Sequence, residues 1–336
     1  MAAASHADVA VRLLRHPGPY DPVRLESAVE ASGRAVRIAF PAGQTLLAGV
    51  SEALAGLGIA SGTMTLFGGT VRQLVYVLAR PDPTGERAVA LTDPIETSDV
   101  AVIAGGASVG LGPDGTAFIH CHGLFADAAG EGFGGHLFND RTVMGEGAVA
   151  YVRGFSEISV EVIPDAEIGV AIFRPTRSER PLRSDRPTRP SLPPSDGVPS
   201  AMDTAAPHHV ETGRIGRIAY THVRPNEDLV QAVQKVALMH GFRAAFVRGT
   251  LGSLTDACLA APDGALREIR GPAIEVLAIA GEVRSDADGV PRAHLSGAVA
   301  DTEGRVFGGR FVSGRNPVCM TFELVLEEWL PDAGTI

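Results

Sequence analysis

Apolar residues recur along this chain at two different spacings. In residues 44–57 and 227–240 they repeat at helical spacing, as on one face of an amphipathic helix. Elsewhere short segments alternate or run apolar, as in RAVRIAF, RQLVYVLA and MTFELVLEEWL, which is the pattern of β-strands. The pattern therefore predicts an α/β (α+β) protein in which helices pack against extensive sheet.

The chain also repeats itself, because segments of its first half match segments of its second half in the same order. The matches are AGQTLLAGVSEALAGLG (42–58) with PNEDLVQAVQKVALMHG (225–241), Gly69 with Gly252, DVAVIAGG (99–106) with EVLAIAGE (275–282), and FGGH (133–136) with FGGR (307–310). Such self-similarity predicts two homologous domains, which we call copy one and copy two.

Three histidines lie close together in copy one. His120 and His122 are two positions apart in the strand-like segment TAFIHCHGLF, so both imidazoles leave the same face. The turn DAAGEG then reverses the chain, and Gly134 and Gly135 would permit a bulge that turns His136 toward the first pair. Three converging imidazoles predict a zinc site with an open fourth position. The alternative is three histidines on a solvated hairpin, and ligand type and spacing favour the metal.

Copy two keeps one of these three ligands. Counting back from the match of FGGH with FGGR sets His294 opposite His120, Ser296 opposite His122 and Arg310 opposite His136. A hydroxyl and a guanidinium do not replace two imidazoles at zinc. We therefore expect a degenerate metal site in copy two.

The order of helix, G-x-L turn, strand, H-x-H and then G-G-H resembles the PPC (plants and prokaryotes conserved) domain, known in plants from AT-hook nuclear proteins. The resemblance implies two homologous domains, each a mixed, mainly antiparallel sheet with a packed helix, that usually assemble as a trimer. In bacterial members it also implies a metal ion bound by the three histidines. Copy two departs from the motif at Ser296 and Arg310, so the resemblance does not imply a bound metal ion there.

The resemblance and the composition divide the chain into four parts. These are an N-terminal extension (1–32), a first PPC-like domain (33–175), an Arg/Pro-rich linker (176–211) and a second PPC-like domain (212–331). The basic, proline-dense stretch that begins at Arg174 favours extended, solvated backbone, as in a semi-rigid spacer. It lacks the G-R-P core of an AT-hook, so we favour a linker over a nucleic-acid tether.

The charge and the cysteines limit the partners and the compartment. A net charge of −10 argues against a protein that holds DNA through its phosphates. No apolar run reaches the length of a membrane span, and the N-terminus does not read as a secretory signal. Three widely spaced cysteines favour a reducing compartment, so we expect a cytoplasmic protein with no membrane partner.

A difference in length between the copies indicates where a substrate could enter. Matching Glu161 with Glu323 gives copy one twelve additional residues directly after His136. Such an insertion beside a metal site is either a lid or a decorated surface hairpin. If it is a lid, Arg141, Tyr151 and Arg153 could hold an anionic group there.

These observations predict a zinc-binding protein that acts on or binds a small anionic, oxygen-rich metabolite. If the protein is an enzyme, the expected class is a zinc-dependent hydrolase or lyase. Candidates for the general base are Glu131, Asp99 and Glu146. Arg310 and Arg315 could supply charge to a neighbouring copy in an oligomer. The alternative function is a DNA-binding regulator of the PPC/AT-hook type.

Overall fold

The computed structural model describes residues 11–31, 33–176 and 211–332 of the chain. In the first half the elements are β1 (Leu25–Glu30), β2 (Arg34–Ala39), α1 (Leu46–Ala55), β3 (Gly62–Phe67), β4 (Thr70–Val77), β5 (Ala79–Pro81), β6 (Val89–Leu91), β7 (Ile95–Leu111), β8 (Ala117–Ala126), β9 (Gly132–Leu137), β10 (Val143–Met144), β11 (Val149–Gly154), β12 (Val160–Asp165) and β13 (Val170–Pro175). In the second half they are β14 (Gly213–Val223), α2 (Leu229–His240), β15 (Ala244–Val247), β16 (Leu251–Ala260), β17 (Leu266–Ser285), β18 (Pro291–Ala300), β19 (Val306–Phe311) and β20 (Val318–Pro331).

Each copy builds one large sheet, and the two sheets have the same strand order. In copy one the order is β2-β11-β3-β7-β8-β9-β4-β10, with β4 also paired to β7. In copy two it is β14-β20-β15-β17-β16-β19-β18, with β18 also paired to β17. Strands β7, β8, β9 and β4 therefore form the same closed ring as β17, β18, β19 and β16. The pairings within these sheets are antiparallel, apart from one parallel contact between β12 and β7. This arrangement confirms the predicted fold class of two homologous, sheet-dominated α+β domains.

One helix packs on each sheet. The helix α1 begins after Thr45, whose side chain accepts a hydrogen bond from the backbone N–H of Ala48, and α2 begins after Asp228 in the same way. Gly241 ends α2 in the left-handed conformation that favours glycine. The buried faces of the two helices join two separate apolar cores. None of the helices in the described ranges is long and apolar enough to cross a membrane.

The two copies are packed against each other. Strand β17 of copy two lies against β7, β8 and β9 of copy one. Leu277 and Ala300, both from copy two, are buried within the apolar core of copy one. The cores therefore meet along the face of copy one that carries the three histidines.

The hairpin register supports the predicted correspondence of the degenerate site. His122 pairs directly with His136 on β9, and Ser296 pairs directly with Arg310 on β19. One alignment is wrong by two residues, however. In copy one, Ala126 follows His122 by four residues and pairs with Ala101. In copy two, Ala300 follows Ser296 by four residues and pairs with Glu275. Glu275 therefore matches Ala101 and not Asp99.

The predicted insertion after His136 is also wrong. Val152 pairs with Met64 in copy one, and Leu326 pairs with Val247 in copy two. Met64 and Val247 each lie five residues before the matched glycines, so Leu326 matches Val152 and Glu323 matches Val149, not Glu161. Val149 lies thirteen positions after His136, and Glu323 lies thirteen positions after Arg310, so copy one has no insertion here. The error arose because both β12 and β20 contain a glutamate in an apolar context.

Copy one is longer because of two hairpins elsewhere. The β5–β6 hairpin lies between β4 and β7, whereas copy two joins β16 to β17 through a short turn from Ala260 to Leu266. The β12–β13 hairpin follows β11, and copy two has no described strand after the matching β20.

Strand β1 precedes copy one in sequence but pairs with β14 at the edge of the copy-two sheet. Residues 177–210, which hold nearly all of the predicted Arg/Pro-rich linker, lie outside the described residues.

Candidate metal centre

The β8–β9 hairpin brings the three histidines of copy one together. His120 and His122 share one face of β8, and His136 stands opposite His122 on β9. One ring nitrogen from each lies within 4.8 Å of those of the other two. The pairing of β8 with β9 is regular, so no bulge is needed to turn His136 inward. Gly134 instead allows close strand approach, because a Cβ there would lie 1.9 Å from the carbonyl oxygen of Gly123.

Copy two supplies the groups that hold these imidazoles in place. His120 donates from Nδ1 to Oε1 of Glu323 at 2.6 Å. His122 donates from Nδ1 to the carbonyl oxygen of Val276 at 3.0 Å, and Oε2 of Glu275 lies 3.2 Å from the same nitrogen. These bonds leave Nε2 of both rings directed toward the cluster, as in metal sites whose ligands are oriented by an outer carboxylate. The centre is therefore shared between the two copies.

Burial and neighbouring charges set the protonation of the cluster. Burial, and then the neighbouring His120, lowers the pKa of His136 to about 3 and holds that of His122 well below its usual value. Burial also acts to lower the pKa of His120, but the charge and hydrogen bond of Glu323 outweigh it and the net shift is upward. Two of the three imidazoles are thus held neutral, which is the form that binds a metal.

The donor set fits a transition-metal ion. Nε2 of His120 and Nε2 of His122 are 3.2 Å apart. Two nitrogens bound tetrahedrally to one zinc ion would be separated by roughly 3.3 Å, given bonds of about 2.0–2.1 Å. The carboxylate of Glu323 adds negative charge beside His120, which favours a cation. Burial raises the pKa of Glu275 to about 8.

The histidines line a cavity of about 340 Å³ between the copies. Its polar groups include the three histidines and the two carboxyl groups of copy two. Its walls are mostly apolar and come from the two hairpins that only copy one carries, from the start of β8 and from Met320 of copy two. A small molecule in this cavity would contact both the histidines and apolar side chains.

The structure does not bring the candidate bases of the sequence analysis to this cavity. Glu131 is exposed in the β8–β9 turn, Asp99 is exposed on β7, and Glu146 is exposed before β11. None of them is among the described residues that line the cavity.

The arginines proposed for substrate binding also lie elsewhere. Arg141 is exposed and forms an ion pair with Glu96. Arg153 is buried, and its Nε lies 2.9 Å from Oε1 of Glu327. Arg310 lies on β19, paired with Ser296 and with Ala260. None of the three is among the described residues that line the histidine cavity.

A second cavity, of about 860 Å³, also lies between the copies. Arg153 and Tyr151 line it, together with Ser296 of the degenerate site. Many of its lining residues come in matched pairs, one from each copy. The pairs are Ala104 with Ala278, Gly106 with Ala280, Leu124 with Ala298, and Arg153 with Glu327.

Two carboxyl groups of copy two belong to the site although they are not among its sequence-predicted residues. Glu275 and Glu323 each interrupt an otherwise apolar strand, in AIEVLAIAG and MTFELVL, and both are buried. A buried acid in such a strand is rare without a partner, so the signal was present. Its partner could not be identified because it lies in the other copy.

Comparison with known proteins agrees with the tandem architecture. The family model for the Plants and Prokaryotes Conserved (PCC) domain matches residues 27–152 and again residues 210–330. Among curated proteins, a bifunctional protein GlmU from Synechococcus sp. strain JA-3-3Ab is 32% identical over 135 residues, which are 39% of this chain and 20% of that protein. The GlmU of strain JA-2-3B'a(2-13) is 33% identical over 107 residues, 31% of this chain and 16% of that protein. The chain thus spans a fifth or less of these relatives.

Solved structures of single domains resemble parts of the chain. A metal-containing protein from Archaeoglobus fulgidus is 21% identical, covers 42% of this chain and 94% of its own, and has a TM-score of 0.36. A plant- and prokaryote-conserved protein from Pyrococcus horikoshii is 20% identical, covers 44% of this chain and 94% of its own, and also has a TM-score of 0.36. A Ralstonia eutropha protein with a proposed DNA-binding role is 18% identical, covers 41% of this chain and 88% of its own, and has a TM-score of 0.33.

Proposed function

Because the chain belongs to the Plants and Prokaryotes Conserved (PCC) domain family and carries two copies of that domain, we propose that it is a zinc-dependent protein that acts on a small anionic molecule. The reaction class that such a centre favours is hydrolysis or a lyase reaction. The three free, buried cysteines of the described ranges are consistent with a cytoplasmic location.

The observation that carries the proposal is the division of the centre between the copies. Copy one provides three imidazoles. Copy two provides Oε1 of Glu323 at 2.6 Å from Nδ1 of His120 and the carbonyl oxygen of Val276 at 3.0 Å from Nδ1 of His122. Supporting a histidine in this way costs the burial of a carboxyl group, which structural packing alone does not require. The same face of copy two has lost its ligands at Ser296 and Arg310.

The roles of the residues follow from their positions. His120, His122 and His136 would hold zinc, which when bound supplies a Lewis acid at the base of the cavity. Glu323 fixes the ring of His120 through Nδ1. Oε2 of Glu275 has no hydrogen-bond partner among the described groups and borders the cavity, so it is the oxygen placed to exchange a proton with a bound molecule.

Elemental analysis of the purified full-length protein tests the proposal. We expect about one zinc ion per chain, and His122→Ala should lose most of it. His294→Ala changes the exposed histidine of copy two and is the matched control, which should retain the metal. Turnover of a panel of small esters, amides and hydroxy acids should follow the metal content. Unchanged zinc in His122→Ala would contradict the assignment.

The alternative function, a DNA-binding regulator, has less support from the charge of the chain. With a net charge of −10 and its basic stretch confined to one segment, the protein should bind duplex DNA weakly and without sequence preference. A tight, sequence-selective gel shift at about 0.15 M salt, where screening is physiological, would favour the regulator over the enzyme.

A further inference from the structure

The two hairpins that distinguish copy one from copy two both border the histidine cavity. The β5–β6 hairpin contributes Val89 and Leu91 to its lining, and the β12–β13 hairpin contributes Ile172 and Phe173. Copy two, which lacks the metal ligands, also lacks described counterparts of both hairpins. The additions therefore accompany the intact centre, and their position indicates that they shape what reaches it.

The walls that these hairpins build are apolar and partly aromatic. Phe118 leaves the same face of β8 as His120 and His122, and its ring meets that of Phe173 edge-on with centroids 5.6 Å apart. Phe118 and Leu91 are large apolar residues that remain 45% and 52% exposed beside the cavity. A ligand with an aromatic or branched apolar body would cover both of them.

The β5–β6 hairpin also brings a cation to this apolar wall. Arg87 is the one arginine or lysine among the described residues that line the cavity. Its backbone N–H donates to Oδ2 of Asp82 at 2.9 Å, which fixes the end of the hairpin loop. In the same hairpin, Ala79 packs into a small apolar cluster with Ala273 and Cys319 of copy two. Arg87 is thus an exposed residue at the cavity, on a hairpin that is anchored to both copies.

We propose that the cavity selects an aryl or branched-alkyl molecule that carries two oxygen functions, one bound at the histidine cluster and one anionic group bound by Arg87. The proposal rests on the proposed function, because it places one end of the ligand at the metal. It replaces the oxygen-rich metabolite expected from sequence with a more apolar one. It also assigns the binding of the anionic group to Arg87 and not to Arg141, Arg153 or Arg310.

Hydroxamates are suitable probes, because they bind zinc through two oxygens and are available with different bodies. Acetohydroxamate has no apolar body, benzohydroxamate has an aryl body, and 4-carboxybenzohydroxamate adds a distant carboxylate. Affinities would be measured by calorimetry on zinc-loaded full-length protein. In the wild type we expect the ring to strengthen binding about tenfold, and the carboxylate to add a further factor of about three to ten.

Two pairs of variants separate the contributions. Arg87→Ala should abolish the gain from the carboxylate and leave benzohydroxamate unchanged, whereas Arg80→Ala, in the same hairpin but not lining the cavity, should keep the gain. Phe118→Ala should remove most of the gain from the ring, whereas Phe67→Ala, which is similarly exposed but lies away from this cavity, should keep it.

The outcomes distinguish a failure of the proposed selectivity from a failure of the proposed zinc-dependent function. A wild-type protein that binds neither zinc nor any hydroxamate would overturn both. A protein that binds zinc and acetohydroxamate, but gains nothing from ring or carboxylate, or gains equally in Arg87→Ala and Arg80→Ala, would overturn only the proposed selectivity.

Discussion

At the scale of single residues, the metal ligands were predictable and their supports were not. His120 and His122 follow from the two-residue period of a strand, and His136 from a turn that reverses the chain. Glu323 lies 203 residues from His120 along the chain. Local spacing carries no information about a contact at that separation, so the sequence offers Glu131, Asp99 and Glu146 as candidate bases and does not single out Glu323.

The support that Glu323 gives to His120 can be tested by a single substitution. Glu323→Gln removes the charge that orients the ring and should weaken zinc binding about 10- to 100-fold. Competition with a chromophoric chelator would measure the change in affinity. Glu131→Gln, on the exposed β8–β9 turn, is the matched control and should bind zinc as the wild type does. Equal losses in both variants, or none in either, would remove Glu323 from the centre.

At the scale of elements, the sequence predicted which strands and helices exist better than how they are placed. The two helices, the β8–β9 hairpin and the repeated strand order follow from periodicity and internal alignment. Strand β1 was assigned to an extension, yet it pairs with β14 at the edge of the copy-two sheet. Edge pairing depends on which backbone is free after the domains pack, and apolar periodicity does not encode that.

Strand β1 is attached by an ionic network that gives a pH-dependent prediction. Oε1 of Glu26 lies 2.7 Å from the buried guanidinium of Arg224, and Glu26 also contacts Arg174 and His222. Burial acts to raise the pKa of Glu26, but the hydrogen bonds and charges of His222 and then of Arg174 outweigh it and lower the pKa to about 2. A lowered folded-state pKa means that the carboxylate stabilises the protein above pH 4.5 and loses that effect as pH falls toward 2.

Urea unfolding at several pH values would measure this effect. Glu26→Gln should lower the free energy of unfolding at pH 7 by about 1–3 kcal/mol and by much less near pH 2, so that the acid limb of the stability curve flattens. Glu157→Gln, an exposed glutamate, should keep the wild-type curve. A Glu26→Gln curve parallel to the wild type at all pH values would contradict the account.

At the scale of the whole molecule, the contact between the copies is asymmetric, because the two copies use different faces. The histidine face of copy one is covered, and His122 is buried, whereas its match Ser296 in copy two is exposed. Conversely, Glu275 of copy two is buried, whereas its match Ala101 in copy one is exposed. Within one chain, copy one thus uses its histidine face and copy two uses the face that carries Glu275. The face of copy two that carries Ser296 and the face of copy one that carries Ala101 are not used in this contact, so each chain keeps both halves of a head-to-tail interface.

Unused halves of this kind favour association with further chains, and we propose that the protein is a homo-oligomer, with the trimer that the family resemblance implies. Light scattering at micromolar concentration should show more than one chain per particle. Ile103→Glu, beside the larger cavity, should reduce the mass, and Leu238→Glu, on an exposed face of α2, should not. A wild-type monomer would contradict the proposal.

Anomalous diffraction at the zinc edge, from crystals of zinc-loaded full-length protein, would locate the metal ion. We expect one strong peak per chain between His120, His122 and His136, with Glu323 hydrogen-bonded to His120 from the other copy. We expect no peak at His294, Ser296 and Arg310. No peak at the three histidines, or a peak there with Glu323 turned away from His120, would contradict a metal centre built from both copies.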